Sequence, residues 1–135
     1  MPDAMVDLLQ REMECEGLLD CLYGLKALDR DCYRVLTGAG EPLTVDAIAE
    51  RVDRERSTAY RAIRRLVEAG LVHKEQVNYD QGGYYHVFYP ADPDEVADDM
   101  QRVLNDWYAM TGRLVHEFRE TYGERVPRDV PTPRQ

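Results

Sequence analysis

Residues 43–72 read LTVDAIAERVDRERSTAYRAIRRLVEAGLV, with two periodic segments on either side of a polar break. Thr44 is a natural N-cap for a first helix, in which apolar residues recur at intervals of three and four. The polar residues 53–56 interrupt this rhythm, and a second helix is expected to begin near Arg56 or Ser57 and to end at Gly70. Two short helices joined by a polar turn predict a helix-turn-helix.

The second helix, predicted over residues 56–69, carries basic and hydroxyl side chains at its outward and N-terminal positions. Such side chains contact phosphates and base edges when a helix enters the major groove of DNA. The predicted DNA-binding residues are Thr44, Arg54, Arg56, Ser57, Thr58, Tyr60, Arg61, Arg64, Arg65 and Lys74. Two alternatives stay open. Ser57 and Thr58 are also suited to capping the helix, and Tyr60 to sharing its inner face with Ile63.

The distribution of charge favours a nucleic-acid partner. The 135-residue chain has 26 acidic and 17 basic side chains and a net charge of −9. Residues 51–74 hold seven basic and three acidic side chains, so this segment carries +4 and the rest of the chain −13. A solvated helix face is the plain alternative, but the concentration of arginines in one segment favours a surface for a polyanion. The predicted partner is double-stranded DNA.

The overall acidity suggests a salty cell interior. A pI of about 4.8 is unusual for a DNA-binding protein, and carboxylate-rich surfaces keep proteins soluble at high salt. Molar salt weakens the gain from releasing counterions on phosphate contact. Hydrogen bonds from Arg56 and Arg61 to guanine edges would then carry more of the specificity.

Residues 71–90, LVHKEQVNYDQGGYYHVFYP, contain two β-prone runs around a Gly-Gly turn and predict a hairpin. A hairpin directly after a helix-turn-helix is a wing. Its tip is polar and includes Asp80, which would repel phosphate, so contact between the wing and DNA stays open. Alternating Tyr85, Val87 and Tyr89 are expected to form the buried face of the second strand.

A long helix is predicted after Pro90, with Asp92 as its N-cap. Apolar residues follow at spacings of 4, 3, 4, 3, 4 and 4 and form a heptad-like seam of Val96, Met100, Val103, Trp107, Met110, Leu114 and Phe118. On a single-domain helix such a stripe ordinarily packs on its own core. A helix of about 30 residues is ~45 Å long, however, and overhangs a small winged-helix core. We therefore expect the seam to pair two copies of the chain in a homodimer.

The segments GLKALDRDCYRVL, RSTAYRAIRRL and EAGLVHK resemble the winged-helix domain of the archaeal TrmB family of transcriptional regulators. The chain is most similar to short, single-domain members from halophilic archaea, and this similarity extends through QVNYDQGGYYHVFYP and DDMQRVLNDWYAM. The resemblance implies a regulator that binds promoter DNA. Full-length members carry a further sugar-binding domain, for which this chain is too short, so sugar sensing is not expected.

The predicted fold is mainly α with a small β-hairpin, an α+β class: a winged helix-turn-helix with a long C-terminal dimerisation helix. With 135 residues and 44% hydrophobic content, the chain can bury one modest core. The expected segments are an N-terminal helical extension (1–24), the DNA-binding domain (25–90), the dimerisation helix (91–122) and a disordered tail (123–135).

Several other classes of protein are disfavoured. No apolar stretch approaches the ~20 residues that cross a bilayer, and the acidic N-terminus is unlike a signal peptide, so a cytoplasmic location is expected. The sequence lacks a glycine-rich phosphate loop, a metal-ligand spacing and a nucleophile–base pair, which argues against an enzyme and against any metal or other cofactor. The alternative function is a winged-helix module that binds a protein partner without reading bases.

Three cysteines precede the helix-turn-helix: Cys15, Cys21 and Cys32. Their odd number and a reducing cytoplasm argue against a disulfide framework. Cys32, beside apolar residues, is expected to be a small buried hydrophobe. Because the halophilic regulators that the chain resembles include thiol-responsive members, Cys15 and Cys21 are candidates for sensing oxidants. A thiol peroxidase is the enzymatic alternative that the cysteines leave open.

Overall fold

In the computed structural model, residues 15–127 are described. They form five helices and one antiparallel hairpin, in the order α1 (Gly17–Tyr23), α2 (Ala27–Ala39), α3 (Val45–Val52), α4 (Arg56–Glu68), β1 (Val72–Asn78), β2 (Tyr84–Pro90) and α5 (Pro93–Gly123). This is the winged helix-turn-helix with a long C-terminal helix that the sequence predicts. The chain divides into two compact units between Ala97 and Asp98, and the first unit contains the helix-turn-helix and the hairpin.

The helix-turn-helix forms where the sequence pattern predicts it. The Thr44 hydroxyl accepts a hydrogen bond from the Ala47 amide (3.2 Å) and caps α3. Asp53 ends α3 in the left-handed conformation (φ 55°), which a short polar side chain tolerates better than most. The chain then turns, and α4 begins at Arg56, as expected.

The end of α4 determines where the hairpin starts. Gly70 follows the helix at φ 80°, and the Leu71 amide donates to the Leu66 carbonyl (3.0 Å) to close the helix end. A residue with a Cβ is strained at this φ, so glycine is required here. Helix α4 thus ends at Glu68, and Gly70 closes this end with the positive φ for which the sequence provides a glycine.

The core of the first unit lies among α2, α3, α4 and the base of the hairpin. Each helix turns one apolar face inward because its apolar residues recur every three or four positions. The apolar residues that are 2% exposed or less are Cys32, Leu36, Ile48, Ala59, Ala62, Ile63, Leu66, Leu71, Val72 and Phe88. Their burial stabilises the unit by roughly 25 cal/mol per Å² of apolar surface removed from water.

The hairpin pairs β1 and β2 antiparallel, from Val72 opposite Pro90 to Asn78 opposite Tyr84. The loop 79–83 joins the strands and ends on two glycines at positive φ, 97° and 82°. Such angles favour glycine, so the Gly-Gly pair allows the chain to reverse here. The predicted hairpin is confirmed.

The buried face of β2 differs from the prediction. Phe88 is 2% exposed, and its amide and carbonyl pair with the carbonyl and amide of Leu43 (2.8 and 3.0 Å). Tyr85, Val87 and Tyr89 lie on the other face, because side chains alternate along a strand, and they are only half-buried. The prediction that these three form the buried face is therefore wrong. Alternation defines two faces, and the pairing with Leu43 decides which one meets the core.

Helix α5 begins as predicted. The Asp92 carboxylate accepts a hydrogen bond from the Asp94 amide (2.9 Å), and Pro93 takes the first helical position, where a missing N–H costs little. The helix contains 31 residues and is therefore about 46 Å long.

The apolar seam of α5 changes character along its length. Val96 is 7% exposed and Met100 is half-buried. From residue 103 onward the large apolar side chains are exposed by 38% to 78%; they are Val103, Trp107, Met110, Leu114 and Phe118 of the seam, with Leu104, Tyr108, Val115 and Tyr122 beside it. Within the described residues, this stripe has no apolar cover.

Part of the predicted domain organisation lies outside the described residues. This applies to residues 1–14 of the expected helical extension and to residues 128–135 of the expected tail. Within the extension, α1 ends at Tyr23 and is capped by Gly24, which adopts φ 66°. None of the described helices is long and apolar enough to cross a membrane.

Candidate nucleic-acid interface

Helix α4 presents a polar surface on the side away from the core. Its inward positions are Ala59, Ala62, Ile63 and Leu66. The exposed members of the predicted DNA-binding set are Arg54, Arg56, Ser57, Tyr60, Arg61, Arg64 and Lys74, while Thr44, Thr58 and Arg65 are half-buried. Tyr60 is 41% exposed and Ile63 completely buried, so these two side chains do not share the inner face.

Two exposed arginines of α4 pair with carboxylates at the surface. Arg56 Nε lies 3.0 Å from Asp46 Oδ1, and Arg64 Nε lies 3.1 Å from Glu68 Oε1. All four side chains are 63–76% exposed, and pairs exposed to this extent contribute only about 0–1 kcal/mol. A phosphate or a base edge can therefore replace either carboxylate at small cost.

Arg65 differs from these arginines because it turns back toward α2. Its Nε and Nη2 donate to both carboxylate oxygens of Asp29 at 2.7–3.0 Å, and the Lys26 amide donates to Asp29 Oδ2 at 3.0 Å. Asp29 is completely buried, so its carboxylate requires these donors. The hydrogen bond to Asp29 raises the pKa of Arg65 above its usual value. Arg65 therefore holds α4 against α2.

The motifs of the sequence do not point to Asp29. An acidic residue in the first turn of a helix is ordinary, because it interacts favourably with the helix dipole, and the partner of Asp29 lies 36 residues along the chain. The sequence contains one indication that Asp29 faces inward. Asp29 is in helical phase with Cys32 and Leu36, which are buried, and this phase places it on the inward face of α2.

The hydroxyl residues at the start of α4 do not occupy the N-cap position. The helix begins at Arg56 after Glu55, so Ser57 and Thr58 are its second and third residues. Thr58 Oγ1 accepts a long hydrogen bond from Arg61 Nη2 (3.5 Å). Both hydroxyls thus lie in the first turn, where backbone amides and the helix dipole favour anions.

A groove lies between the start of α4 and the hairpin, with a volume of about 510 Å³. It is lined by Thr44, Val45, Asp46, Arg56, Tyr60, Lys74, Tyr79, Tyr84, Tyr85, His86 and Phe88. Thr44, Arg56, Tyr60 and Lys74 belong to the predicted DNA-binding set. Thr44 is the N-cap of α3, Arg56 and Tyr60 lie on α4 and Lys74 lies on β1, and the structure brings these residues together.

The hairpin tip is aromatic rather than basic. Tyr79 and Tyr84 are exposed, and the ring centroid of Tyr79 lies 4.9 Å from that of Tyr85. Lys74 is the only lysine or arginine between residues 72 and 90. Contact between this hairpin and DNA would consequently depend on Lys74 and on hydroxyl groups, not on a cationic tip.

The three cysteines have different surroundings. Cys15 and Cys21 are exposed, whereas Cys32 is completely buried, as the sequence predicts. Burial, followed by the charges of Asp29 and Asp31, raises the pKa of the Cys32 thiol to about 11, so this thiol stays protonated at neutral pH. Within residues 15–127 there is no group of three or more potential metal ligands.

A family model described as the sugar-specific transcriptional regulator TrmB matches residues 19–94. The chain belongs to the TrmB family of transcriptional regulators. The match covers the helix-turn-helix and the hairpin, and it confirms the resemblance seen in the sequence. Because the TrmB family consists of regulators, the expectation of a non-enzymatic protein is confirmed as well. The narrower resemblance to thiol-responsive, halophilic members stays a prediction.

Two archaeal relatives align with most of this TrmB-family chain. One uncharacterized protein of Methanocaldococcus jannaschii is 36% identical over 103 residues, which span 76% of this chain and 77% of that protein. A second uncharacterized protein of the same organism is 34% identical over 110 residues, which span 82% and 90%. The similarity therefore extends beyond the residues that the family model matches.

Solved structures share the fold. A possible transcriptional regulator from Methanosarcina mazei matches with a TM-score of 0.69 and 20% identity, over 79% of this chain and 90% of that chain. A protein of the archaeon Sulfolobus tokodaii matches with a TM-score of 0.59 and 13% identity, over 71% and 93%. At such identities the likeness establishes a common architecture and nothing about ligands.

Proposed function

We propose that the protein is a sequence-specific DNA-binding transcriptional regulator whose helix α4 enters the major groove. The observation that carries the proposal is the exposed face of α4, where Arg56, Tyr60, Arg61 and Arg64 project from a helix with a completely buried inner side. Membership of the TrmB family supports it. In a helix-turn-helix the second helix lies in the groove, with its N-terminal residues at base edges.

The side chains of the interface divide into base contacts and backbone contacts. Arg61 lies in the second turn of α4 and can donate two hydrogen bonds to one guanine, whereas Arg56 in the first turn is suited to a phosphate. Arg64 in the third turn and Lys74 on β1 are suited to phosphates. Arg65 contributes indirectly, because its guanidinium is held by Asp29.

A homodimer formed through α5 would present two copies of α4 to a two-fold DNA site. Trp107, Leu114 and Phe118 are 41%, 53% and 65% exposed in the single chain. A second copy of the same helix offers an apolar stripe with the same spacing, and pairing the two stripes removes both from water. The two half-sites would then lie about one turn of DNA apart, ~34 Å.

Selection of binding sites from random duplexes with the purified chain tests the proposal. We expect enrichment of a pseudo-palindromic motif.

Arg61→Gln should weaken binding to that motif by about tenfold or more and relax the preference for one base position, since a bidentate arginine–guanine pair contributes roughly 1–3 kcal/mol. Arg113→Gln removes the same charge from the exposed surface of α5 and should bind like the wild type. No enrichment over random sequence would contradict the proposal and favour a module that binds a protein partner.

A narrower part of the proposal concerns Cys15 and Cys21, whose exposure leaves their thiols accessible to oxidants. Two thiols from the two copies of a dimer would form one disulfide while one peroxide molecule is reduced to two waters. Peroxide should then change DNA binding by the wild type. The variant Cys15→Ser/Cys21→Ser should bind DNA normally without peroxide and show no change with it. A double variant that responds like the wild type would exclude these thiols.

A further inference from the structure

The groove between α4 and the hairpin holds opposite charges close together. Arg56 and Lys74 bring two cations to its wall, and Asp46, from the first turn of α3, brings one carboxylate. Thr44 and Tyr60 add hydroxyl groups. The groove therefore has an excess of positive charge and several hydrogen-bond donors, but one of its two cations is already paired with an acid.

We propose that this groove seats one backbone phosphate of bound DNA, and that Asp46 competes with that phosphate for Arg56. The inference rests on the proposed function, since it takes the ligand to be the DNA that α4 reads. Arg56 Nε donates to Asp46 Oδ1 at 3.0 Å, within the ordinary range of N–H···O hydrogen bonds. On binding, Arg56 exchanges the carboxylate for the phosphate.

The composition and the location of the groove both favour a phosphate of the duplex. Guanidinium, ammonium and hydroxyl groups are the side-chain donors that most often contact the DNA backbone. The groove begins at the first turn of α4, so the strand that borders a major groove occupied by α4 passes beside it. The Asp46 and Arg56 side chains are 76% and 65% exposed, so the exchange does not require a buried pair to be broken.

The competition has a consequence for the overall affinity. A phosphate contact strengthens binding to every sequence, whereas base contacts strengthen binding to one. By opposing a phosphate contact, Asp46 lowers the affinity for all duplexes alike, which keeps binding to random DNA weak and leaves discrimination to the base contacts of α4. Asp46 therefore sets the strength of binding to DNA, although it touches no base.

Fluorescence anisotropy with a random-sequence duplex and with a selected duplex, over a series of salt concentrations, tests this role. Asp46→Asn should raise the affinity for both duplexes by about threefold to tenfold and steepen the dependence of log K on log salt by about one, as expected for one more neutralised phosphate. Asp99→Asn is the matched control, because Asp99 pairs with Arg102 at 2.8 Å on α5 and loses the same charge. It should leave both affinities and the slope unchanged.

A double-mutant cycle separates release of Arg56 from a general change in charge. In the Arg56→Gln background, Asp46→Asn should give no further gain in affinity. Lys74→Gln should weaken binding to both duplexes about equally and make the salt dependence shallower by about one. An Asp46→Asn variant that behaves like Asp99→Asn, or that gains as much without Arg56, overturns the proposal.

Two further outcomes identify the source of the phosphate. Submillimolar binding of inorganic phosphate to the wild type in calorimetry, if lost in Arg56→Gln and Lys74→Gln, would assign the groove to a free ligand and overturn its assignment to DNA. A wild-type chain that binds neither duplex would overturn the proposed function and this inference together. A chain that selects a motif but is indifferent to Asp46→Asn overturns only the inference about the groove.

Discussion

Helices α4 and α5 contain apolar residues at the same spacings, yet these residues meet different surroundings. Ile63 and Leu66 of α4 are completely buried, whereas Leu114 and Phe118 of α5 are 53% and 65% exposed. The periodicity determines which face of a helix is apolar, but it does not determine what covers that face. In the first unit, neighbouring helices of the same chain cover it, and along α5 we propose that a second chain does.

The largest expected effect comes from a matched pair of truncations, Leu66→Ala and Leu114→Ala. Leu66→Ala should lower the free energy of unfolding by about 2–5 kcal/mol, because it leaves a cavity in a packed core. Leu114→Ala should instead weaken self-association. Chemical denaturation at several protein concentrations, with analytical ultracentrifugation, measures both effects.

One outcome for each variant would contradict this difference between α4 and α5. Should Leu114→Ala leave both self-association and stability unchanged, α5 would not be the dimer interface. Should Leu66→Ala change self-association while leaving the core intact, the buried face of α4 would have been misassigned.

Two ion pairs, Asp29–Arg65 in the first unit and Asp99–Arg102 on α5, should contribute differently to stability. Asp29→Ala should destabilise the fold by about 1–3 kcal/mol, because it removes the acceptor for three donors in a buried position. Asp99→Ala should change the stability by about 1 kcal/mol or less, since its pair is exposed. Thermal unfolding followed by circular dichroism would show the difference, and equal losses would contradict a locking role for Asp29.

The free energy of unfolding should depend on pH through the buried thiol of Cys32. Because burial raises the pKa of Cys32 to about 11, above the value of 9.0 for a free thiol, the neutral thiol is favoured in the folded state. This contribution is fully present below pH 9 and is lost as the pH rises toward 11. Its size is up to about 3 kcal/mol, because each unit of pKa corresponds to about 1.4 kcal/mol.

Cysteine variants isolate this contribution from other groups that titrate in alkali. The loss of stability between pH 9 and 11 should be smaller in Cys32→Ala and unchanged in Cys21→Ala, whose thiol is exposed. A thiol reagent should also modify Cys15 and Cys21 in the folded protein and reach Cys32 only on unfolding. Rapid modification of all three cysteines would contradict the burial of Cys32.

The smallest expected changes in stability come from two glycine substitutions, one in each unit, and they have opposite signs. Gly70→Ala should destabilise by about 1 kcal/mol, because Gly70 adopts φ 80°, where a Cβ is strained. Gly112→Ala should stabilise by about 0.5–1 kcal/mol, because Gly112 lies within α5 and an added Cβ meets nothing within 4 Å. Melting temperatures of the two variants provide the test, and a gain from Gly70→Ala would be inconsistent with its left-handed conformation.

Much of the fold and part of the site were predictable from the sequence. The Thr44 cap, the start of α4 at Arg56 and the closure of its end by Gly70 follow from contacts between residues a few positions apart. The exposed arginines of α4 follow from the helical period. The alternation in β2 predicts the wrong buried face, because both faces of the strand carry aromatic residues and only the pairing of Phe88 with Leu43 distinguishes them.

By itself, the sequence determined the helices, the turn, the hairpin and the face that each helix turns inward, since these depend on local hydrogen bonds and on the spacing of apolar residues. Only the tertiary structure decided that Arg65 holds α4 through Asp29, 36 residues away, and that Asp46 faces Arg56 in a groove that Lys74 completes. A local pattern places an arginine on a surface. Which carboxylate meets it depends on how the helices pack, and that arrangement is set by the whole core at once.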